Sequence, residues 1–547
     1  NAPLPRGRAR FVVSIKKEHA VTTNPTPTNW LPLVVLCCAQ FLASADNVTL
    51  SIATQALMND LHATLGQVST ANTMYPLIAG TFMVAGGMLG CIWGWRMLFR
   101  IGCLIFILAE ACAFFSPSIA LFTWGARLTA GIGGSLMIPA VFGLISALYQ
   151  QRRRVAAFGA LGASSGISFA CGPIVCGYLL DHVGWRIAFA SLGLLALLIL
   201  LCSVIIPASE NKRAAIAFDT PGFLLGTIGL FLTIFGILRI PVWGLVMPFD
   251  PAVSVLGLSP APFVILCGLM VLVMMLRWER HFEATTGHAL LPAVFLKTRL
   301  VRHGLYLTGW IFFAYSSAIF TVVSFAQIVK SVSAMETGLL ILPFAICLAA
   351  CSLGLPLFIQ QRNPRRQCQM GLTVGIAGAL VAAAALHVTG FTPVLMASGL
   401  CLIGAGMGTI AANAPILVTT GAGNRHAEQS GGVQAASRDI GQALGMALIS
   451  TVMLTVLTFL MKYQVQHDPA MGLAARQAIG HLTFIPWTSD RTFHQLIQTQ
   501  NLAPGDLSGL LQHYQQSRML SARYGLLAMA IVTSLLLIRL RHLPKSS

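Results

Sequence analysis

Long apolar runs, separated by short polar segments that carry most of the arginine, set the pattern of this chain. Fourteen runs can be read, at 31–54, 70–92, 98–116, 120–148, 155–180, 185–207, 219–239, 260–278, 303–327, 335–359, 369–390, 393–419, 430–461 and 519–540. Each has about the 20 residues that carry an α-helix across a bilayer. Strict apolar–polar alternation over short stretches, the mark of a membrane β-barrel, is missing from them. The pattern predicts an all-α, polytopic membrane protein.

Composition narrows the reading further. Only 9% of the 547 residues are charged and 56% are hydrophobic. Soluble domains carry about 25% charged residues, and one soluble core cannot absorb this much apolar sequence. Disorder is excluded as well, because disordered chains are polar and charge-rich. The net charge of +18 invites a nucleic-acid reading, but its distribution follows topology. With the N-terminus inside, 24 of the 34 Lys and Arg fall on the cytoplasmic side, and short outer loops hold only Arg186, Arg239 and Lys330. This asymmetry predicts both termini to be cytoplasmic and gives no reason to expect nucleic-acid binding; a bacterial inner membrane is the expected location.

The expected organisation is a basic cytoplasmic tail at 1–29, a six-helix bundle at 30–208, a two-helix insert with its linkers at 209–302, a second six-helix bundle at 303–541, and a C-terminal tail at 542–547. The tail at 1–29 lacks the cleavage site of a signal peptide. Helix 4, with Arg127, Gly131, Gly133 and Gly134 before Pro139, is echoed in helix 12 by Gly404, Gly406 and Gly408 before Pro415. Two related six-helix halves suit a secondary transporter. The long outer loop 463–518 is polar and Gln-rich, and is read as solvated. Its His467, His481, His494 and His513 match no zinc spacing. The 13 cysteines lie almost entirely in apolar runs and form no C-x-x-C pair, so they read as small packing residues. Neither a metal nor a cofactor is expected. No nucleotide loop, zinc-protease signature or triad spacing suggests an enzyme.

Function is sought in the polar exceptions within the apolar runs, because a charge at the bilayer centre costs about 2.5–3.5 kcal/mol on the insertion scale. Asp46 in helix 1 is a candidate for proton exchange or for pairing a cationic substrate, against a structural carboxylate. Arg127 in helix 4 is a candidate charge partner in a proton relay, against a helix-fastening ion pair. Glu110 in helix 3 either faces the cavity as a second proton or cation site or snorkels to the outer interface. Arg438-Asp439 opens helix 13. Adjacent opposite charges are not expected to share a helix face, so a gate or packing role is assigned. Gly166, Gly172, Pro173 and Gly177 make helix 5 a close-packing, proline-bearing element.

On these residues the chain resembles the major facilitator superfamily, nearest its fourteen-helix drug:proton antiporter branch. Arg127 and Gly131 match the helix 4 motif. Gly166, Gly172, Pro173 and Gly177 match the antiporter motif of helix 5, with Cys176 at its penultimate glycine. Asp46 matches the acidic position of helix 1, Gly184-Trp185-Arg186 the start of helix 6, Phe218-Asp219-Thr220-Pro221-Gly222 the start of helix 7, and Leu291-Pro292 the approach to helix 9. Arg438, Gly441 and Gly445 fit helix 13. The loop 2–3 gating motif keeps Gly87, Leu89, Gly94 and Arg96, but its Asp is Cys91 and its Arg is Ile92. Gln360 and Gln361 stand at the equivalent places of loop 10–11.

The resemblance implies a major facilitator fold of 14 transmembrane helices (6+2+6) and alternating access around a midplane site. It also implies proton-coupled export of amphipathic, cationic or neutral compounds. Membrane lipid, protons and a small-molecule substrate are the expected partners, and loop 463–518 is a candidate dock for a periplasmic adaptor protein. A dedicated single-metabolite transporter, including an importer, and a non-transporting membrane sensor are the alternatives.

Overall fold

The computed structural model describes residues 30–63, 65–207, 219–246, 248, 254–255, 257–286, 295, 297–332, 334–358, 364–387, 390–426, 430–482, 484–498 and 504–540. The expectations for the tails, for Lys212 and Arg213, for Leu291-Pro292 and for Gln360-Gln361 lie outside these residues. Among the described residues, fourteen helices are long and apolar enough to cross a membrane: α1 (Leu31–Leu50), α2 (Thr70–Trp93), α3 (Trp95–Phe114), α4 (Ile119–Leu148), α5 (Arg153–Leu180), α6 (Trp185–Ile205), α7 (Thr220–Ile240), α8 (Pro260–Thr285), α9 (Arg299–Val329), α10 (Met335–Gly354), α11 (Pro364–Ala384), α12 (Pro393–Gly423), α13 (Ser430–His467) and α14 (Gly505–Leu540). Counting alternate crossings, one edge of the bundle carries Arg96, Arg100, Arg153, Arg154, Arg277, Arg280, Arg299, Arg302, Arg365, Arg366 and Arg539. This is called the arginine-rich edge below.

Glycine decides how tightly the helices meet. A Cβ on Gly133 of α4 would stand 2.9 Å from the Phe106 backbone of α3, and one on Gly131 would stand 2.8 Å from Ile78 of α2. In the other half, a Cβ on Gly371 of α11 would stand 2.8 Å from the Gly406 carbonyl of α12. So α4 beds between α2 and α3 as α12 beds between α10 and α11. Gly94 and Gly184 precede the two Trp-Arg pairs and have φ of 89° and 94°. Each turns the chain sharply into the next helix through the left-handed region that favours glycine.

The core of the first half draws on α1 to α6 and takes in Ala435 and Ala436 of α13. The core of the second half takes in Phe169 of α5. α7 and α8 pack on each other, and α7 lies on α2 and α13 through Leu77, Ile234, Ile237, Ala443 and Ala447. Outward-facing residues such as Leu198, Leu201, Met270, Met274, Leu535 and Ile538 are exposed, as a lipid-facing surface requires.

Segment 463–518 is not the solvated loop expected from its polarity. α13 runs on to His467, helices Leu473–His481 and Asp490–Gln498 follow, and α14 is helical from Pro504. Leu457, Met461, Val465, Ile479, Phe493, Leu510 and Tyr514 close a separate small core at the edge opposite the arginine-rich one. Phe493 stacks on Tyr514, with ring centroids 3.8 Å apart. Asp468 takes the Ala470 N–H at 2.9 Å and the ring of His513 at 2.7 Å. These bonds hold its carboxyl below the usual carboxylate range. Among the described residues no cluster of metal-ligating side chains forms, and the cysteines form no disulfide.

Candidate functional site

The acidic positions of α1 and α3 converge on the arginine of α4. Arg127 closes a six-residue π-helical turn, Phe122–Arg127, before α4 resumes regular helix. Such a turn shifts the helical phase locally and recurs at functional sites. Arg127 donates from Nη1 to Asp46 Oδ1 at 2.9 Å and from Nη2 to Asp46 Oδ2 at 2.5 Å. Its Nη1 also lies 3.7 Å from Glu110 Oε1. All three side chains are shut off from solvent. A planar guanidinium matches a carboxylate fork in this two-point geometry, which a lysine does not reproduce.

The set is unbalanced. One guanidinium faces two carboxyl groups, and neither oxygen of Glu110 has a hydrogen-bond partner. Glu110 does not snorkel outward. A Cβ on Gly193 of α6 would stand 3.1 Å from the Glu110 Cβ, so this glycine admits the side chain to the interior. Two rings, Tyr75 and Phe189, face the Arg127 guanidinium at 5.5 and 5.8 Å, which adds cation–π attraction in a dry setting.

A second charged pair lies on α13. Arg438 and Asp439 are both buried, and Arg438 Nε stands 3.5 Å from Asp439 Oδ1. This corrects the expectation that neighbouring residues in a helix cannot share a face: the long arginine stem folds back over the short aspartate. Arg438 also donates from Nη1 to Gln40 Oε1 of α1 at 3.2 Å and covers the Phe312 ring at 4.8 Å. Gly80 of α2 leaves the room Asp439 needs.

Two residues that the sequence reading did not single out complete the link. Gln40 sits on the same helix as Asp46. Tyr75 is buried close enough to interact electrostatically with Asp46, Arg127, Arg438 and Asp439, and a Cβ on Gly134 would stand 2.6 Å from its hydroxyl. The only signal for either was a polar atom inside an apolar run.

Beside Arg438 lies a small cavity of about 50 Å³ between the two halves. Its wall is aromatic: Phe142 and Phe158 from the first half, Phe312 and Tyr315 from the second. Phe169 stacks on Tyr315 with centroids 3.6 Å apart. Ser165 and Thr308 add hydroxyls, and Arg438 is the charged side chain in the wall. Asp46 does not line it, and its carboxylate is taken up by Arg127. The cation-pairing role considered for Asp46 is therefore not what this geometry offers.

The helix 5 motif meets the second half at its Gly166 end and α1 of its own half further along. A Cβ on Gly166 would stand 2.6 Å from Leu348 of α10, and one on Gly172 would stand 2.9 Å from Val48 of α1. Gly177 is buried on the same helix. Thr49 and Cys176 are 2.8 Å apart, and Ser352 of α10 donates to the Gly159 carbonyl at 2.7 Å. The backbone continues as helix through Pro173, from Gln151 to His182.

At the arginine-rich edge the halves meet by close packing of glycines. A Cβ on Gly432 of α13 would stand 2.9 Å from Gly87 Cα of α2, and one on Gly431 would stand 2.9 Å from the Pro139 carbonyl of α4. Trp95 is fully buried against Gly90 and Gly143. Arg96, expected at the gate, instead donates to the Val204 carbonyl of α6 at 3.2 Å, inside its own half. At the opposite edge Arg186 pairs with Asp60, and Trp185 donates to the same Asp60 oxygen at 2.8 Å. The Trp185 bond and then Arg186 hold the Asp60 carboxyl below its usual range.

Comparisons with known proteins agree with this architecture. The family model described as Major Facilitator Superfamily matches residues 36–446. The puromycin resistance protein pur8 of Streptomyces alboniger is 28% identical over 81% of this chain and 85% of its own length. The tetracenomycin C resistance and export protein of Streptomyces glaucescens is 26% identical over 78% of this chain and 76% of its own. The multidrug efflux pump LfrA of Mycolicibacterium smegmatis is 25% identical over 84% and 87%. Among solved structures, the human organic anion transporter MFSD10 superimposes with a TM-score of 0.56 at 15% identity, covering 78% of this chain and 94% of that one. The proton:xylose symporter XylE gives 0.53 at 13% identity, over 93% and 95%. A multi-pass membrane protein with this helix order and this family match is a transporter, and the chain belongs to the Major Facilitator Superfamily.

Proposed function

We propose that this chain is a proton-coupled exporter of planar, oxygen-rich aromatic compounds, neutral or anionic, working by alternating access in a bacterial cytoplasmic membrane. The observation that carries the reading is the buried Asp46–Arg127–Glu110 set, joined through Gln40 of α1 to the wall of an aromatic cavity. With both carboxyl groups ionised the set holds one negative charge more than Arg127 neutralises, which gives a proton a place to bind. Relatives named for export of and resistance to tetracenomycin C and for resistance to puromycin support the export direction and the aromatic substrate class. The arginine-rich edge supports placing both termini in the cytoplasm.

Proton and substrate are coupled through α1. Protonation of the set relaxes the hold of Arg127 on Asp46, and the freed α1 carries Gln40 away from Arg438. The cavity wall changes with it. Phe169, Tyr315 and Phe312 offer ring faces to a planar ligand, and Arg438 offers a cation to its oxygen edge. The folded outer region between α13 and α14 is the surface on which a periplasmic adaptor would dock.

The test is binding to the purified protein, with an anthraquinone-type acidic dye and a lipophilic cation of similar size as probes. Arg438→Gln and Phe169→Ala weaken dye binding by about tenfold, the size expected of a central anchor. Tighter binding of the cation than of the dye, unchanged by Arg438→Gln, overturns the substrate class.

A further inference from the structure

A second space, of about 700 Å³, lies on the flank of the bundle rather than at its centre. α7 and α8 form one wall, α9 and α14 the other, and α13 the floor. Leu230, Leu272, Leu276, Phe313, Leu444 and Leu535 make it apolar. Leu535 and Leu444 are exposed, so the groove opens sideways toward lipid. Trp310 Nε1 donates to Thr533 Oγ1 at 3.0 Å and ties α9 to α14 along its back.

The groove has a polar end and an apolar end. Arg539, in the last turn of α14, lines it at the arginine-rich edge and lies 5.2 Å over the Tyr306 ring. Arg280 follows Leu276 by one helical turn on the same face of α8, and Arg302 precedes Tyr306 by one turn on the same face of α9. All three arginines are exposed. The carboxyl of Glu279 is buried beside Gly222 of α7. From Arg539 to Val532 the α14 wall rises about 10 Å, and from Leu305 to Phe313 the α9 wall rises about 12 Å. This depth stays within one leaflet of a core about 30 Å thick.

We propose that this groove binds an anionic phospholipid of the leaflet on the arginine-rich side. Its phosphate sits at Arg539, flanked by Arg280 and Arg302, and an acyl chain lies along Leu276, Leu444 and Leu535. Three arginines from three helices at headgroup level select negative charge, and the apolar slot below them fits a chain but not a hydrated ligand. The α7–α8 pair has a role of its own in this arrangement, since it supplies the wall that turns an open flank into a site.

The test uses the full chain purified in detergent and native mass spectrometry after titration with phosphatidylglycerol or phosphatidylcholine. Phosphatidylglycerol is retained in preference to phosphatidylcholine. Each of Arg280→Gln, Arg302→Gln and Arg539→Gln lowers its retention by about fivefold, as a lost arginine at a membrane surface does. Leu444→Trp, which fills the slot, lowers retention of both lipids. Arg153→Gln/Arg365→Gln/Arg366→Gln, a triple change at the same edge but off the groove, leaves retention unchanged. An equal loss in this off-groove triple variant overturns the site, and so does retention that survives Leu444→Trp or shows no preference for phosphatidylglycerol. If Arg280→Gln or Arg302→Gln does not fold, the single Arg539→Gln decides.

Discussion

Arg127 grips Asp46 with both arms of its guanidinium, at 2.9 and 2.5 Å, in a region closed to solvent. The pair fastens α1 to α4 inside the first half, next to the helix face that Gln40 turns to Arg438 across the halves. A change of charge at the pair is therefore placed to move α1 against α13.

Removing one partner of a buried pair leaves the other charge stranded, at a cost of about 3–5 kcal/mol. Asp46→Asn is expected to lower the thermal midpoint in detergent and to abolish proton-driven transport. Arg127→Lys should not restore transport, because an ammonium lacks the two-point fit. Transport at the wild-type rate in Arg127→Lys would show that the fork geometry is not used.

Glu110→Gln is expected to behave differently. Its oxygens have no hydrogen-bond partner to lose, and the change removes the surplus negative charge beside Arg127. The thermal midpoint should hold or rise, while the pH dependence of transport flattens. A pH profile identical to wild type would remove Glu110 from the proton site.

Gly432 and Gly87 form the tightest join between α13 and α2 at the arginine-rich edge. Gly432→Leu should wedge that edge open. In a cysteine-free background, a Ser165→Cys reporter in the cavity should then react with a membrane-impermeant thiol reagent added at the arginine-rich face, at least several-fold faster than without the wedge. No change in rate would mean that this glycine contact does not close the cavity.

Asp60 supplies a pH prediction at the opposite edge. Its carboxyl is held below its usual range by Trp185 and Arg186. The stability it contributes is fully present above the unfolded value of about 3.9 and is lost as pH falls through the lower folded value. The difference in thermal midpoint between wild type and Asp60→Asn should be constant from pH 7 to 5 and shrink below pH 4. A difference that titrates near neutrality would contradict this assignment.

The helices were legible because a run of about 20 apolar residues has few other uses. Asp46, Arg127 and Glu110 were legible for the converse reason, since charges there are costly. What escaped was cheaper or more local. Gln40 and Tyr75 carry no charge and so leave little trace in an apolar run. Arg438-Asp439 was misjudged because sequence spacing fixes the Cβ directions but not how far an arginine stem folds back. The outer region was misjudged from its polarity. Leu457, Met461 and Val465 keep helical spacing past the membrane, as do Leu507, Leu510 and Tyr514 on the way back in, and that periodicity was the better guide.

The most direct measurement is proton movement in inside-out vesicles, followed with a pH-sensitive dye while an anthraquinone-type compound is added. Proton release is expected from wild-type vesicles on addition of the compound, and none from Asp46→Asn or Glu110→Gln. Undiminished release from the Asp46→Asn/Glu110→Gln double variant would contradict it, because proton coupling would then lie outside the buried set.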